Sequence, residues 1–353
     1  MRRILSLALL GLSLAACQRT DPSSRRASWQ STSYGSPALT SFSETRFASA
    51  QVGWIIGGYA ADLSRYNALL STHDGGATWT RQNLFPLTLN GFLSIAPVSE
   101  QVVFALGVDP VAAAPGAPGN PAESRAVYGS TNGGTSWQQL PGTGFLGSFH
   151  LHFFTEKVGL SLKNQRIQRT TDGANSWNTV LNSNGTGDWN LLQFPGGDAG
   201  YAAGGGVSYG IAGGVAISRG ALARTTDQGA TWQILPWDKQ SISSLSFVSA
   251  TVGFAATFPD HNLYKTHDGG LTWVLTTEHI PAVFNGKFLT EAEGYFTEGP
   301  TIYATSDGGL TWQQDYQVAP VSQYPATINS LTFPTSAAGF AVTADGQVLK
   351  GTR

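Results

Sequence analysis

The sequence predicts an all-β fold in which seven four-stranded antiparallel sheets close into a ring, the architecture of a β-propeller. Two repeated patterns and one absence lead to this expectation. The pattern Ser/Thr-x-Asp-x-Gly-x-x-Trp, here called the box turn, occurs six times between residues 72 and 312. A Phe followed six residues later by Gly recurs upstream of the box turns. No long helical period appears after residue 20, and repeats of about 40 residues are typical of arrays and rings.

Each box turn reads as the connection of a β-hairpin. Glycine supplies the positive φ angles of a tight turn, the Asp carboxylate can accept hydrogen bonds from its own turn, and the Trp packs the outer strand onto the sheet. Asn132 replaces the acid in the second copy, which hydrogen bonding tolerates and catalysis would not, so we interpret the box residues as structural. They are Asp74, Asn132, Asp172, Asp227, Asp268, Asp307, Trp79, Trp137, Trp177, Trp232, Trp273 and Trp312.

The Phe–Gly pattern, here called the frame, counts the sheets. Its Phe is found at Phe47, Phe153, Phe194, Phe247, Phe288 and Phe333, and Pro97 with Val103 forms a degenerate copy. Seven frames against six box turns leave the last sheet one strand short. Ala27-Ser28-Trp29-Gln30 resembles the end of a box turn, as in Ala230-Thr231-Trp232-Gln233. We therefore expect the N-terminal strand to complete the last sheet, so that residues 28–353 form one closed ring.

The first 27 residues predict an export signal and a tether. Two arginines precede an apolar run, and Leu14-Ala15-Ala16-Cys17 resembles the lipobox of bacterial lipoproteins, with the only Cys of the chain at its end. An ordinary secretory signal with a chance Cys is the alternative. Residues 1–17 are thus interpreted as a lipoprotein signal and residues 18–27 as a solvated tether. We expect lipid anchoring through Cys17 in the bacterial cell envelope, and we expect the outer membrane, because Gln18 resembles the outer-membrane sorting class.

Composition and charge exclude several classes. Charged residues make up 12% of the chain and the net charge is −2, which argues against a nucleic-acid binder. A single Cys cannot form an internal disulfide. His150 and His152 would share one strand face, as metal ligands sometimes do, but no third ligand is identifiable. We expect a monomer without metal or cofactor.

The repeated turn resembles the Asp-box, or BNR repeat, of sialidases, sortilin-type receptors, xyloglucan-cleaving enzymes and bacterial ring proteins. The full unit, with Gly-(Tyr/Phe/Trp)-Ala upstream of Thr-x-Asp-Gly-Gly-x-Thr-Trp, is most similar to the photosystem II stability/assembly factor-like proteins. The resemblance implies a seven-bladed propeller over nearly the whole mature chain. It implies little about chemistry, because the same scaffold hosts hydrolases and pure binders.

Enzymatic activity has weak support in the sequence. The sialidase resemblance would require an Arg-Ile-Pro motif in the first blade, whereas Arg46 stands in Arg-Phe-Ala. Xyloglucan-cleaving enzymes join two rings, and this chain predicts one. A different glycosidase with paired carboxylates remains open. Its candidates, by residue type alone, are Glu44, Asp62, Asp188, Asp238 and Glu293.

Two regions are candidates for a binding site. The first is a set of aromatic residues in the connections opposite the box turns, which suit sugar faces or protein anchors, although each could instead cap the core. These residues are Tyr59, Tyr66, Trp189, Tyr209, Trp237, Tyr316 and Tyr324.

The second candidate region is the channel along the ring axis. Residues one and three places before each frame Phe lie on the opposite strand face and should line it. The polar ones include Glu44, Arg46, His150, His152, Gln193, Asn285 and Lys287. In one interpretation they form hydrogen bonds between blades and meet only water. In the other, Arg46, His152 and Lys287 hold an anionic group of a ligand or partner.

These features favour a non-catalytic binding or assembly scaffold of the cell envelope that presents loops and a central channel to a protein or glycan. The alternative is a carbohydrate-active enzyme or a sugar-binding module on the same scaffold.

Overall fold

The computed structural model describes residues 27–34, 41–58, 68–84, 91–109, 124–142, 145, 150–163, 165–183, 188–208, 217–281, 284–321 and 325–353. Several predicted features lie outside these ranges, namely Cys17 with its signal, residues 18–26, Tyr59, Asp62, Tyr66, Tyr209 and Tyr324.

The described residues form seven four-stranded antiparallel sheets, which confirms the predicted all-β propeller. Strand β1 (Ser28–Ser33) is followed by the strands of blades 1 to 3, which are β2 (Ser41–Phe47), β3 (Gly53–Gly58), β4 (Ala68–Thr72), β5 (Thr80–Arg81), β6 (Gly91–Pro97), β7 (Val103–Asp109), β8 (Ser124–Ser130), β9 (Gln138–Gln139), β10 (His150–Phe153), β11 (Gly159–Lys163), β12 (Arg166–Thr170) and β13 (Asn178–Asn182). Blades 4 to 7 contain β14 (Trp189–Gly196), β15 (Ala199–Ser208), β16 (Ile217–Thr225), β17 (Gln233–Ile234), β18 (Ser241–Phe247), β19 (Gly253–Phe258), β20 (Leu263–Thr266), β21 (Val274–Thr277), β22 (Phe284–Phe288), β23 (Gly294–Glu298), β24 (Thr301–Thr305), β25 (Gln313–Gln317), β26 (Ile328–Thr335), β27 (Ala338–Thr343) and β28 (Gln347–Thr352). None of the described segments is a helix long and apolar enough to cross a bilayer.

The ring closes through the N-terminal strand, as the frame count predicts. β1 pairs antiparallel with β28 from Ser28 opposite Thr352 to Ser33 opposite Gln347, so blade 7 combines both ends of the described chain. Trp29 is buried and donates its indole N–H to Oδ2 of Asp315 at 2.8 Å. Because Asp315 belongs to blade 6, the N-terminal strand also ties blade 7 to its neighbour.

A steric requirement explains the frame. Phe247 pairs directly with Gly253 across the first two strands of blade 5, and Phe47 pairs with Gly53 in blade 1. A Cβ atom at either glycine would lie 2.5 Å from the ring of its Phe, well inside contact distance. Glycine is therefore needed where the frame Phe crosses the neighbouring strand.

The frame phenylalanines also join the blades. Each stacks on an aromatic ring of the preceding blade, and a box-turn Trp packs edge-on against several of them, as Trp273 does against Phe247 at 5.9 Å. The closest stacked pairs are Phe153 with Phe104, Phe247 with Tyr201, and Phe288 with Phe254, with centroids 3.7, 3.5 and 3.5 Å apart. The repeated residues thus build the core between blades.

Candidate functional site: the central cavity

The box turns use their polar groups within themselves. In the fourth turn, Thr225 Oγ1 accepts the N–H of Gly229 at 2.9 Å and donates to Asp227 Oδ1 at 2.7 Å. Asp227 also accepts the backbone N–H and the hydroxyl of Thr231 at 2.9 and 2.6 Å. Equivalent hydrogen bonds in the fifth turn lower the pKa of Asp268 to about 2.

The remaining box turns repeat this arrangement. Asn132 accepts the N–H of Ser136 at 2.9 Å and donates to its hydroxyl at 2.8 Å, which reproduces the role of the acid with an amide. The same paired hydrogen bonds are found at Asp74, Asp172 and Asp307. Carboxylates engaged in this way are occupied in holding their turns.

A cavity of about 650 Å³ lies along the ring axis, because the innermost strand of every blade contributes to its wall. It extends to Gly299, which connects β23 and β24, and to Thr327, which precedes β26. These two residues belong to the face opposite the box turns. Of the predicted channel residues, the wall includes Glu44, Arg46, His150, Gln193, Asn285 and Lys287.

His152 does not line the cavity, and the prediction that it helps to hold an anion requires correction. Its ring stacks on Phe194 of blade 4 with centroids 4.7 Å apart and packs edge-on against Phe154 at the same distance. The aromatic contact draws the imidazole into the boundary between blades 3 and 4. Burial, with a smaller contribution from His150, lowers the pKa of His152 to about 3, so it carries no charge near neutral pH.

Strict alternation along the innermost strands missed a second set of wall residues. In the first half of six of these strands a β-bulge adds residues that line the cavity, because a bulge interrupts the period of two and turns an additional side chain. The bulge residues are Ser43, Leu93, Asn190, Ser243, Asn285 with Gly286, and Asn329. Of these, only Asn285 is also predicted by alternation. The sequence signal for most of them is a Ser or Asn four places before the frame Phe.

Many polar groups of the wall connect neighbouring blades. Gln193 accepts the N–H of Phe247 at 2.6 Å and donates to its carbonyl at 3.1 Å. Asn285 donates to the carbonyl of Asn329 at 3.2 Å, and Asn329 donates to that of Phe42 at 2.7 Å. For Gln193 and Asn285 these contacts favour the interpretation of hydrogen bonding between blades.

One charged cluster stands out from this pattern. Arg46 donates through Nε to Glu44 Oε1 at 2.8 Å, and its Nη2 lies 2.7 Å from the same oxygen. Glu44 Oε2 accepts the N–H of Ile95 at 3.0 Å. Arg46 Nη2 also reaches His150 Nε2 at 3.2 Å, across blade 2. Burial and the Arg46 charge lower the pKa of His150 to about 4, so a neutral imidazole accepts this hydrogen bond.

Lys287 adds a second cation to the wall. It makes no hydrogen bond or ion pair among the described residues and is half-buried. Burial and the nearby Arg46 charge lower the pKa of Lys287 to about 8. At neutral pH the described part of the cavity wall therefore holds two cations against one acid, and that acid is already engaged.

The described loop aromatics pack within the fold. Trp189 is 2% exposed and belongs to the core between blades 3 and 4, so its prediction as an exposed anchor requires correction. Trp237 packs edge-on against Trp273 at 5.5 Å and donates to the carbonyl of Gln240 at 2.8 Å. Tyr316 is half-buried against the core between blades 6 and 7. The described members of this set are thus buried or half-buried.

The candidate carboxylates are dispersed. Of the four candidates that the structure describes, only Glu44 lines the cavity, whereas Glu293 pairs with Arg353 at 2.7 Å and Asp238 with Lys239 at 2.6 Å. Within the described ranges, no group of three or more His, Cys, Asp or Glu side chains comes together to hold a metal ion.

No protein-family model and no curated protein matches this chain. Among solved structures, it is similar to YCF48 bound to a D1 peptide, with a TM-score of 0.65 and 19% identity over 92% of this chain and 97% of that one. YCF48 from Cyanidioschyzon merolae gives a TM-score of 0.64 and 17% identity over 91% of this chain and 98% of that one. For the GH74 xyloglucanase from Xanthomonas campestris, the TM-score is 0.60 and the identity is 14%, over 91% of this chain and 53% of that one. At these identities the likeness shows the fold alone.

Proposed function

We propose that this protein is a non-catalytic binding scaffold of the bacterial cell envelope that captures a segment of a partner protein at its central cavity. The observation that carries the proposal is the composition of the cavity wall. Among the described wall residues, two cationic side chains, Arg46 and Lys287, accompany a single acid, Glu44, whose two oxygens are engaged. Such a wall suits recognition of a polar segment with negative charge.

The fold comparisons support a protein partner. A structural neighbour with the same ring has been solved with a peptide bound, and that neighbour and this chain cover almost all of each other. Loops and cavities on a rigid ring are common binding regions. These points support capture of a peptide-like segment without identifying the partner.

A glycosidase is the weaker candidate. The likeness to a xyloglucanase favours it at the level of fold, but such enzymes use two carboxylates that flank the scissile bond. The described part of the cavity wall contains one carboxylate, and Arg46 and the N–H of Ile95 hold it. It is therefore poorly placed to exchange protons with a substrate.

Site-specific photo-crosslinking tests the binding proposal. A photoreactive amino acid replaces Ser243, which lines the cavity, or Thr272, which lies in an exposed box turn. In envelope extracts from the source cell, we expect a defined protein adduct from position 243 and none from position 272. Identical adducts from both positions, or none from position 243, would contradict the proposal. Release of sugar from glycans by the purified protein would instead support the enzyme.

The envelope location rests on the lipobox-like sequence that ends at Cys17. Cys17→Ser should release the protein from the membrane fraction or leave it unprocessed, because the acyl chains would have no thiol to join. Thr20→Ala, outside the lipobox, is the matched control. Unchanged processing and membrane partition of Cys17→Ser would exclude the anchor.

A further inference from the structure

The charged groups of the cavity leave two donors free. Glu44 is satisfied through both oxygens, and His150 accepts from Arg46. Arg46 uses Nε and Nη2 in these contacts, while its Nη1 makes no hydrogen bond within the described residues. Nζ of Lys287 likewise makes no hydrogen bond within the described residues. Both side chains line one cavity, and Arg46 is close enough to influence the charge of Lys287.

Two hydroxyls of the wall are also available as donors. Ser330 Oγ accepts the N–H of Thr45 at 3.3 Å, and Ser244 Oγ accepts the N–H of Gly286 at 3.0 Å. Neither hydroxyl donates to another described residue, so each can donate a hydrogen bond to a bound ligand. Ser330 belongs to blade 7, between the blades of Arg46 and Lys287.

We propose that the cavity binds one carboxylate group between Nη1 of Arg46 and Nζ of Lys287, with the hydroxyls of Ser244 and Ser330 as further donors. The inference rests on the proposed binding function and names the chemistry of the captured group. Guanidinium suits a planar carboxylate, since its N–H donors match the two oxygens. A single carboxylate would also neutralise the one positive charge that Glu44 leaves uncompensated.

The pKa of Lys287 provides a direct signal of occupancy. In the free protein, burial and the Arg46 charge lower this pKa. Of the described wall residues, the others that titrate or carry charge are Glu44 and His150. A bound carboxylate stabilises the ammonium form and should return the pKa of Lys287 toward its ordinary value. Binding should therefore weaken as pH rises from 7 to 9, when the free protein loses the Lys287 proton.

The test measures calorimetric binding and the NMR titration of Lys287 in the purified protein. The probes are succinate, N-acetyl-triglycine with a free carboxylate, and its C-terminal amide. We expect at least one acid to bind at least tenfold more tightly than the amide and to raise the pKa of Lys287. Succinate binding alone indicates a small free acid, and binding of the peptide acid indicates a chain end. Equal binding of acid and amide, or no binding of either acid, overturns the proposal.

Substitutions assign the binding to the two cations. Lys287→Gln should weaken binding of the acid about tenfold or more, and Lys287→Arg should retain binding while removing its pH dependence between 7 and 9. Lys265→Gln removes a lysine that pairs with Glu291 at 3.3 Å outside the cavity and is the matched control. Melting curves establish that each variant is folded. An acid that binds Lys287→Gln and the wild type equally overturns the proposal.

The two proposals can fail separately. Crosslinking from position 243 without carboxylate binding leaves the scaffold function and removes this inference. Carboxylate binding without a crosslinked protein leaves the inference and removes the protein partner.

Discussion

The box turns and the cavity wall differ in how they use polar residues. The six box turns repeat one hydrogen-bonding scheme, and their Asp or Asn side chain is engaged by N–H and hydroxyl groups four residues away. The cavity wall is built from equivalent positions of seven strands, yet its residues differ from blade to blade. Arg46 and Lys287 stand at the same frame position, one place before the frame Phe, and neither Lys nor Arg occurs there in the other five blades.

This difference distinguishes residues that hold the fold from residues that are available to bind a partner. A residue that recurs in every blade serves a contact that every blade needs, as frame glycines and box-turn acids do. A positive charge that occurs at one position in only two of the seven blades has no such explanation. In repeat proteins, positions where the repeat pattern is interrupted are therefore candidates for binding residues.

Removal of the N-terminal strand, which holds both regions in one ring, should cause the largest loss of stability. Deleting residues 18–33 should cost more than about 4 kcal/mol in the free energy of unfolding, because blade 7 loses a strand and the buried Trp29. Chemical denaturation measures this cost, and deletion of residues 18–26 is the matched control with nearly unchanged stability. If the longer deletion does not fold, Trp29→Ala should show a loss of about 3–5 kcal/mol. Equal stabilities of the two deletions would contradict closure through β1.

A smaller change tests the box turns alone. Thr225→Val removes the acceptor of the Gly229 N–H and should cost about 1–3 kcal/mol, since that N–H is buried. Asp227→Asn should cost less, because Asn132 performs the same role in the second turn. Denaturation of both variants measures the difference, and both should retain carboxylate binding. A larger loss from Asp227→Asn than from Thr225→Val would mean that the charge of the acid matters more than its hydrogen bonds.

The smallest expected change concerns the cavity and has the opposite sign. Lys287→Met should stabilise the fold by about 1 kcal/mol at pH 7, because it removes a half-buried charge without a partner among the described residues. In the folded protein the pKa of Lys287 is about 8, against an ordinary value of 10.5. The unfolded chain therefore binds more protons between these pH values, and the wild-type protein should gain stability as pH rises through them.

Denaturation between pH 7 and 10.5 measures this gain. Lys287→Met should lack it, whereas Lys265→Met should keep it because Lys265 lies outside the cavity. A wild-type stability that falls over this interval in parallel with the Lys287→Met variant would contradict an unpaired lysine in the wall.

The sequence pattern identified the central site only in part. The residues three places before the frame Phe include Glu44, His150 and Asn285, which do line the cavity. Alternation placed His152 with them because a period of two treats both histidines alike. It could not show that Phe194 of the next blade would take the His152 ring into an aromatic stack. Trp189 similarly belongs to a strand whose burial depends on neighbouring blades.

The sequence alone determined the all-β class, the count of seven blades and the closure by the N-terminal strand, because these depend on repeated local signals and on one broken copy at each end. Only the tertiary structure decided the complete set of side chains that face the axis. The bulges at Ser43, Asn190, Ser243 and Asn329 each add one residue to a strand and change the sheet face on which the next side chain lies. A fixed period of two cannot predict this change. The meeting of Arg46 with His150 also needed the ring, since residues 104 positions apart become neighbours only when blades 1 and 3 converge on one axis.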